Sequence, residues 1–176
     1  MIETKGSGNR GCGPSGGPEE VYRWVRETRK GLADYCASLP PEAYAAQRQD
    51  FGWGSIRNVH VHIAECYRFW LAEKARGLKT ERFEAADCPD TASVARLFEK
   101  VDELVGQFCA TFAGDALGRT VNLKVRWQDS AFVVTPLWLL THTITHEFHH
   151  KGQIVALGRI LGYPPPETDL ASPGAG

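Results

Sequence analysis

Five consecutive residues, His146-Glu147-Phe148-His149-His150, carry the donor types and the spacing of a metal centre. They fit H-E-x-x-H, in which two histidines hold zinc and the glutamate between them is the general base of a metalloprotease. They fit equally a set of imidazoles that takes its third ligand from another helix of a bundle. His146 and His150 belong to both readings, whereas the third ligand and the task of Glu147 differ. Residues four apart on an α-helix lie about one turn apart on the same face. Two imidazoles so placed can meet one ion at Zn–N distances of about 2.0–2.1 Å. His142 stands one turn earlier, and His142, His146 and His150 form a column within roughly 40° of one another. Any one of them alone would read as a hydrogen-bonded core histidine. Two or three neutral imidazoles side by side in an apolar setting need a further reason, and a shared cation supplies one.

The column needs a helix, and the local sequence supplies both of its ends. Thr135 is an N-cap residue and Pro136 stands at N1, where its missing N–H costs nothing. Gly162 suits the left-handed position past the last turn, and Pro164 blocks continuation. One helix from Thr135 to about Leu161 is predicted. Leu139, Gln153, Leu157 and Ile160 share the histidine side, so that face is expected to point into a bundle. Gln153 is placed to orient a ligand or a bound water. Leu137, Ile144, Phe148 and Val155 occupy the other side, broken by Lys151 and Arg159. Either a second copy of the chain or another part of the same chain is expected to cover them. His149 points about 100° away from the ligand column, toward a rim.

Three further helices follow from periodicity. Pro18-Glu19-Glu20 opens the first, with a proline and acids suited to its positive end. Val21, Val25, Thr28, Leu32, Tyr35 and Leu39 then recur at helical spacing until Pro40-Pro41. Ser55, a good N-cap after Gly52-Trp53-Gly54, starts the second, which runs to about Arg76 with Ile56, Val59, Ile63, Cys66 and Trp70 along its stripe. The third runs from Thr91 to about Phe112 on Val94, Leu97, Val101, Leu104, Phe108 and Phe112. Four helices of roughly 20 residues or more, with little chain left over, imply an all-α four-helix bundle. Val121, Leu123, Val125 and Trp127 alternate like a short strand, but one strand is no basis for a sheet. Residues 1–17, with six glycines, are expected to be a disordered tail, residues 18–170 the bundle, and 171–176 a flexible C-terminal tail.

Composition narrows the classes of function. The 176 residues suit one domain, and a formal net charge of −1 with interspersed signs offers no field for nucleic acid or an anionic membrane surface. No apolar run approaches the ~20 residues that cross a bilayer, and no apolar stretch follows the first residues as in a signal peptide. Five cysteines form no CxxC pair, and Cys36, Cys66 and Cys109 fall in predicted helices. A reduced, cytoplasmic protein is expected.

The second helix offers His60 and His62 as third ligands. Each lies about 80° to one side of the apolar centre, so periodicity does not choose between them. Beyond that point the chain resembles a known group. Trp53-Gly54-Ser55-Ile56 leading to Val61-His62-Ile63-Ala64-Glu65 resembles the second helix of the DinB-like superfamily. His146-x-x-His149-His150-Lys151-Gly152-Gln153 resembles its H-x-x-H-H-R-G-Q signature, with lysine in place of the usual arginine, so no guanidinium role carries over to position 151. Leu161-Gly162-Tyr163-Pro164, with Pro166 and Asp169 beyond, resembles the segment that follows. The likeness spans roughly residues 18 to 170. It implies an up-down four-helix bundle, one divalent metal held by His62, His146 and His150, and a homodimer. In the bundle reading His142 lines the pocket wall or stands behind the ligands, Glu147 is a surface or pocket group or stands behind the ligands, and Gln153 orients a ligand or a bound water or simply packs.

Three neutral imidazoles leave coordination positions open, as catalytic rather than structural sites do. Some members of the resembled superfamily are low-molecular-weight thiol S-transferases using bacillithiol or mycothiol. The resemblance thus implies a thiol cosubstrate and a small electrophilic substrate. A non-catalytic metal-binding stress-response bundle is the alternative. An HExxH protease is a third reading, weakened because Gln153 and Ala156 fill the positions of the extended zinc motif. Glu167 would then be the third ligand, beyond Gly162 and three prolines. An all-imidazole set suits zinc or nickel first, with iron, manganese or copper possible.

Overall fold

A computed structural model describes residues 16–170. The predicted N-terminal tail, apart from its last two residues, and the C-terminal tail at 171–176 lie outside the described residues. The main helices are α1 (Pro18–Ser38), α3 (Ile56–Tyr67), α4 (Thr91–Thr111) and α5 (Pro136–Ile160), with one short helix, α2 (Pro41–Ala45), after the first. The chain is therefore the all-α bundle that the periodicities imply.

Local chemistry explains the helix ends. Pro18 stands in the first turn of α1 with Glu19 and Glu20 beside it. The Ser55 hydroxyl accepts from the Asn58 N–H at 3.2 Å, and the Thr135 hydroxyl accepts from the Trp138 N–H at 3.1 Å. Asp90 and Ser93 make a reciprocal capping box at the start of α4. Gly162 takes φ +89 after α5, the left-handed conformation expected of it.

Side-chain pairings give the helix directions. His60 meets Phe98 and Arg76 meets Gln107, so α3 and α4 run the same way. Arg29 meets Glu147 and Tyr35 bonds to the Tyr163 carbonyl, so α1 and α5 run together. Trp70 lies beside Trp138 and His62 beside His150, so α3 and α5 are antiparallel. The two middle helices thus point alike, and residues 77–90 return along the bundle between them. The core is built from such residues as Leu32, Val59, Ile63, Val101, Phe108, Leu139 and Ile154, each nearly inaccessible to solvent.

Two elements differ from the sequence reading. Beyond Tyr67 the second helix continues to Arg76, but Arg68–Lys74 widens into a π-helix. Val121–Leu123 does find a partner: it pairs antiparallel with Phe132–Val134, Val121 opposite Val134, as strands β1 and β2 of a hairpin. Leu123 and Val125 are buried beneath it, which explains the alternation. Among the described residues no helix is long and apolar enough to cross a membrane. Cys36, Cys66, Cys88 and Cys109 are all buried free thiols.

Candidate metal centre

The antiparallel contact of α3 with α5 brings His62, His146 and His150 together. Their ligand atoms lie within 4.8 Å of one another, and the Nε2 atoms of His62 and His146 are 2.9 Å apart. Three nitrogens at Zn–N distances of about 2.0–2.1 Å in a tetrahedral arrangement would stand ~3.3 Å apart, so modest side-chain rotation accommodates one cation. The donor chemistry fits as well. Burial and then the neighbouring His150 push His62 down to about 4. Burial first, then His150, His62, His142 and His149 in turn, push His146 down to about 3. His150 is also lowered, chiefly by burial. All three are thus neutral at neutral pH, the form that ligates.

The groups behind the ligands orient them. His150 Nδ1 donates to Gln153 Oε1 at 2.7 Å. An amide oxygen only accepts, so Nδ1 carries the proton and Nε2 keeps its lone pair for a cation. The Gln153 amide also reaches His149 Nε2 at 3.2 Å, which places half-turned His149 at the rim. Trp53 stacks on His62 with ring centroids 3.7 Å apart, and it meets His150 edge to face with centroids 5.7 Å apart. Neither helical periodicity nor donor chemistry places Trp53 in the site. Its neighbour explains the placement: Gly54 has φ +79, and a Cβ there would meet Gln47 Oε1 at 2.5 Å. That turn folds the Trp53 ring over α3. Gln153→Leu is expected to keep the fold and weaken divalent-cation binding by ~10–100-fold, the usual cost of losing a group that orients a ligand. Competition against a chromophoric chelator measures it, and an unchanged affinity would remove Gln153 from the site.

His60, the other candidate on α3, turns the opposite way. It is 5% exposed, shares a 2.9 Å hydrogen bond with the Tyr44 hydroxyl and packs against Phe98. Burial, with Arg29 adding to it, pushes its imidazole down to about 4. The unfolded chain takes up this proton near 6.5, but the folded chain only near 4. Stability from neutral His60 is therefore complete above pH 6.5 and is lost as the pH falls toward 4. Urea midpoints in EDTA should fall across that window, and less steeply in His60→Gln than in the unaltered chain. Parallel curves for the two proteins would refute this.

Two positions correct the sequence reading. The histidine column does not point straight into the bundle. The buried face of α5 is centred on Thr143, Glu147 and Ile154, one step around, while His142 and His146 are half-buried at its edge and Ile160 is 69% exposed. Glu147 is neither a surface group nor a pocket group. It lies 5% exposed in the interior, where Arg29 donates to both of its oxygens at 2.7 and 2.9 Å and the Tyr67 hydroxyl donates at 2.7 Å. A carboxylate held on that side of α5 is not a general base for a cation between His146 and His150. Glu167, the third ligand in the protease reading, belongs to neither donor group found among the described residues. Lys151 also leaves the site: its ammonium donates to the Thr168 carbonyl and lies 4.3 Å from the centre of the Phe148 ring.

Two of the triad, His62 and His146, line a cleft of about 660 Å³. His62, His146 and His142 form one end, Phe69, Trp70 and Trp127 the apolar walls, and Arg126 and Lys74 part of the mouth. The π-helical stretch contributes Phe69, Trp70, Glu73 and Lys74, and Trp127 comes from the loop joining β1 to β2. His142 stacks on Trp138 with centroids 5.1 Å apart and planes 8° apart, fixing it as a wall residue. Cys66 also lines the cleft, its thiol pushed up to about 12, chiefly by burial and then by Glu65 and Glu147.

No curated protein matches the chain. A solved structure of a DinB-like protein from Bacillus cereus ATCC 10987 is similar in fold, with a TM-score of 0.65 and 20% sequence identity over 85% of this chain and 94% of that one. The model of the DinB family matches residues 8–173, nearly the whole sequence. The chain belongs to the DinB family.

Proposed function

We propose that this DinB-family chain holds one divalent cation, zinc or nickel, at His62, His146 and His150 and works as a low-molecular-weight thiol S-transferase of the bacillithiol type. The observation that supports this reading most is the convergence of three neutral imidazoles, two of which line an aromatic-walled cleft large enough for a small molecule. A divalent cation there supplies Lewis acidity that favours the deprotonated form of an external thiol. Phe69, Trp70 and Trp127 exclude water and hold an apolar electrophile against the histidine end. Arg126, which has no carboxylate within ion-pair distance among the described residues, meets an anionic group of either reactant at the mouth. In the transfer, the thiol proton goes to solvent and the sulfur forms a bond to the electrophilic carbon, while the leaving group departs with its electron pair or, in an epoxide, the opened oxygen keeps that pair and takes up a proton. No nucleophile from the chain is required.

Exposed Leu137, with half-covered Ile144, Phe148 and Val155, is the face on which a second copy of the chain would pack. The four cysteines among the described residues, all free thiols, suit a reducing, cytoplasmic setting. The test is a screen of thiol conjugation to chloro- and epoxy-aromatic probes with zinc-loaded and nickel-loaded protein. Turnover that disappears in His150→Ala, with the circular dichroism unchanged, supports the transferase. Cation binding without turnover of any thiol leaves a non-catalytic metal-binding bundle instead.

A further inference from the structure

The metal-ligating types on α3 and α5 do not stop at the triad. α3 presents His62 and Cys66, four residues and about one turn apart, and α5 presents His142, His146 and His150 at the same interval. Because the two helices are antiparallel, one turn forward on α3 is one turn backward on α5. The arrangement His62 with His146 and His150 is thus repeated one turn along as Cys66 with His142 and His146. The ligand atoms of this second group also lie within 4.8 Å of one another. All three residues line the cleft, and His146 is common to both groups. The stacked Trp138 ring and the T-shaped contact with Trp70, centroids 5.1 Å apart, hold the His142 imidazole on this side. The difference lies in donor character, two imidazoles and a sulfur in place of three imidazoles.

We infer that Cys66, His142 and His146 form a second cation position, selective for a thiophilic divalent ion such as zinc or cadmium, one helical turn along the cleft from the first, on the side of Trp70. Thiolate is a softer donor than imidazole and shifts preference toward such ions. Binding converts the Cys66 thiol to a metal-bound thiolate and releases its proton to solvent. Neither the triad nor the proposed transfer requires this position.

Cobalt titration of the full chain tests it, because a cobalt–thiolate bond produces a near-ultraviolet charge-transfer band that cobalt–imidazole bonds lack. A neutral imidazole has one ring lone pair, so His146 serves one ion at a time, and the expected result is a weak band in the unaltered chain, where the triad competes for His146, and a strong band with the first equivalent in His62→Ala. It should lose nearly all its intensity in both Cys66→Ala and His142→Ala. The His142 variant alters only a half-buried wall residue and covers the case in which replacing buried Cys66 disturbs the fold. A spectrum with no such band at any cobalt ratio overturns the inference. So does a band that survives in either variant.

Discussion

Replacing His146 by alanine is expected to strip the chain of its divalent cation. Tag-free unaltered protein should retain about one ion per chain after dialysis, as a site with three protein ligands does. His146 stands between the other donors, with its Nε2 2.9 Å from that of His62 and its ring 4.3 Å from that of His150. Without it, His62 and His150 face each other across an empty edge of α5, and Cys66 loses a partner too. The loss in affinity should exceed the ~10–100-fold that removal of an orienting group costs, since a ligand itself is gone. His62→Ala refines the result: it removes only the three-nitrogen arrangement, and any ion that remains should show sulfur ligation. Metal content by mass spectrometry of dialysed protein, in both variants, gives the answer. A His146→Ala protein that still holds a full equivalent would mean that the cation is not bound between α3 and α5.

Arg29→Leu is expected to lower the free energy of unfolding by ~3–5 kcal/mol, the cost of leaving a buried charge without its partner. The Arg29 and Glu147 side chains are only 9% and 7% exposed, and the pair is bidentate. Asp102 extends the network, accepting from Arg29 at 2.8 Å and from the Tyr22 hydroxyl at 2.7 Å. Glu147→Leu should destabilise by a similar amount. Arg29→Leu combined with Glu147→Leu should cost clearly less than the sum, because neither charge is then stranded. Urea unfolding monitored by tryptophan fluorescence reads all three. A change below ~1 kcal/mol in Arg29→Leu would show the pair to be solvated and weak. The same variants bear on chemistry: a Glu147 that served as general base would cost turnover and leave stability alone, the opposite of what its ion pair predicts.

Much of the frame was legible in the chain because it rests on interactions between near neighbours in sequence. Ser55 and Thr135 cap helices through N–H groups three residues away. Pro18 and Pro136 begin helices, and Gly162 ends one through its own backbone conformation. The histidine column likewise follows from the pitch of a single helix, which is why His146 and His150 could be paired before any fold was known. The apolar stripes were less exact. Val21 is 40% exposed, and Tyr22 takes its place in the core, where its hydroxyl reaches Asp102.

What the sequence determined by itself was the set of helices, their ends and the metal-ligating types each one carries, since pitch and capping act within a few residues. The tertiary structure alone decided which of those types meet. His60 and His62 flank the same stripe at similar angles, and only the neighbours differ: Tyr44 and Phe98 on one side, His146, His150 and Trp53 on the other. Glu147 stands beside His146 in sequence, yet its partner Arg29 is 118 positions away, and burial of that pair turned it from the cleft. Cys66 comes into register with His142 and His146 only because α3 and α5 run in opposite directions. Donors on different helices are brought together by packing of the apolar faces, and a single chain of letters does not encode that packing locally.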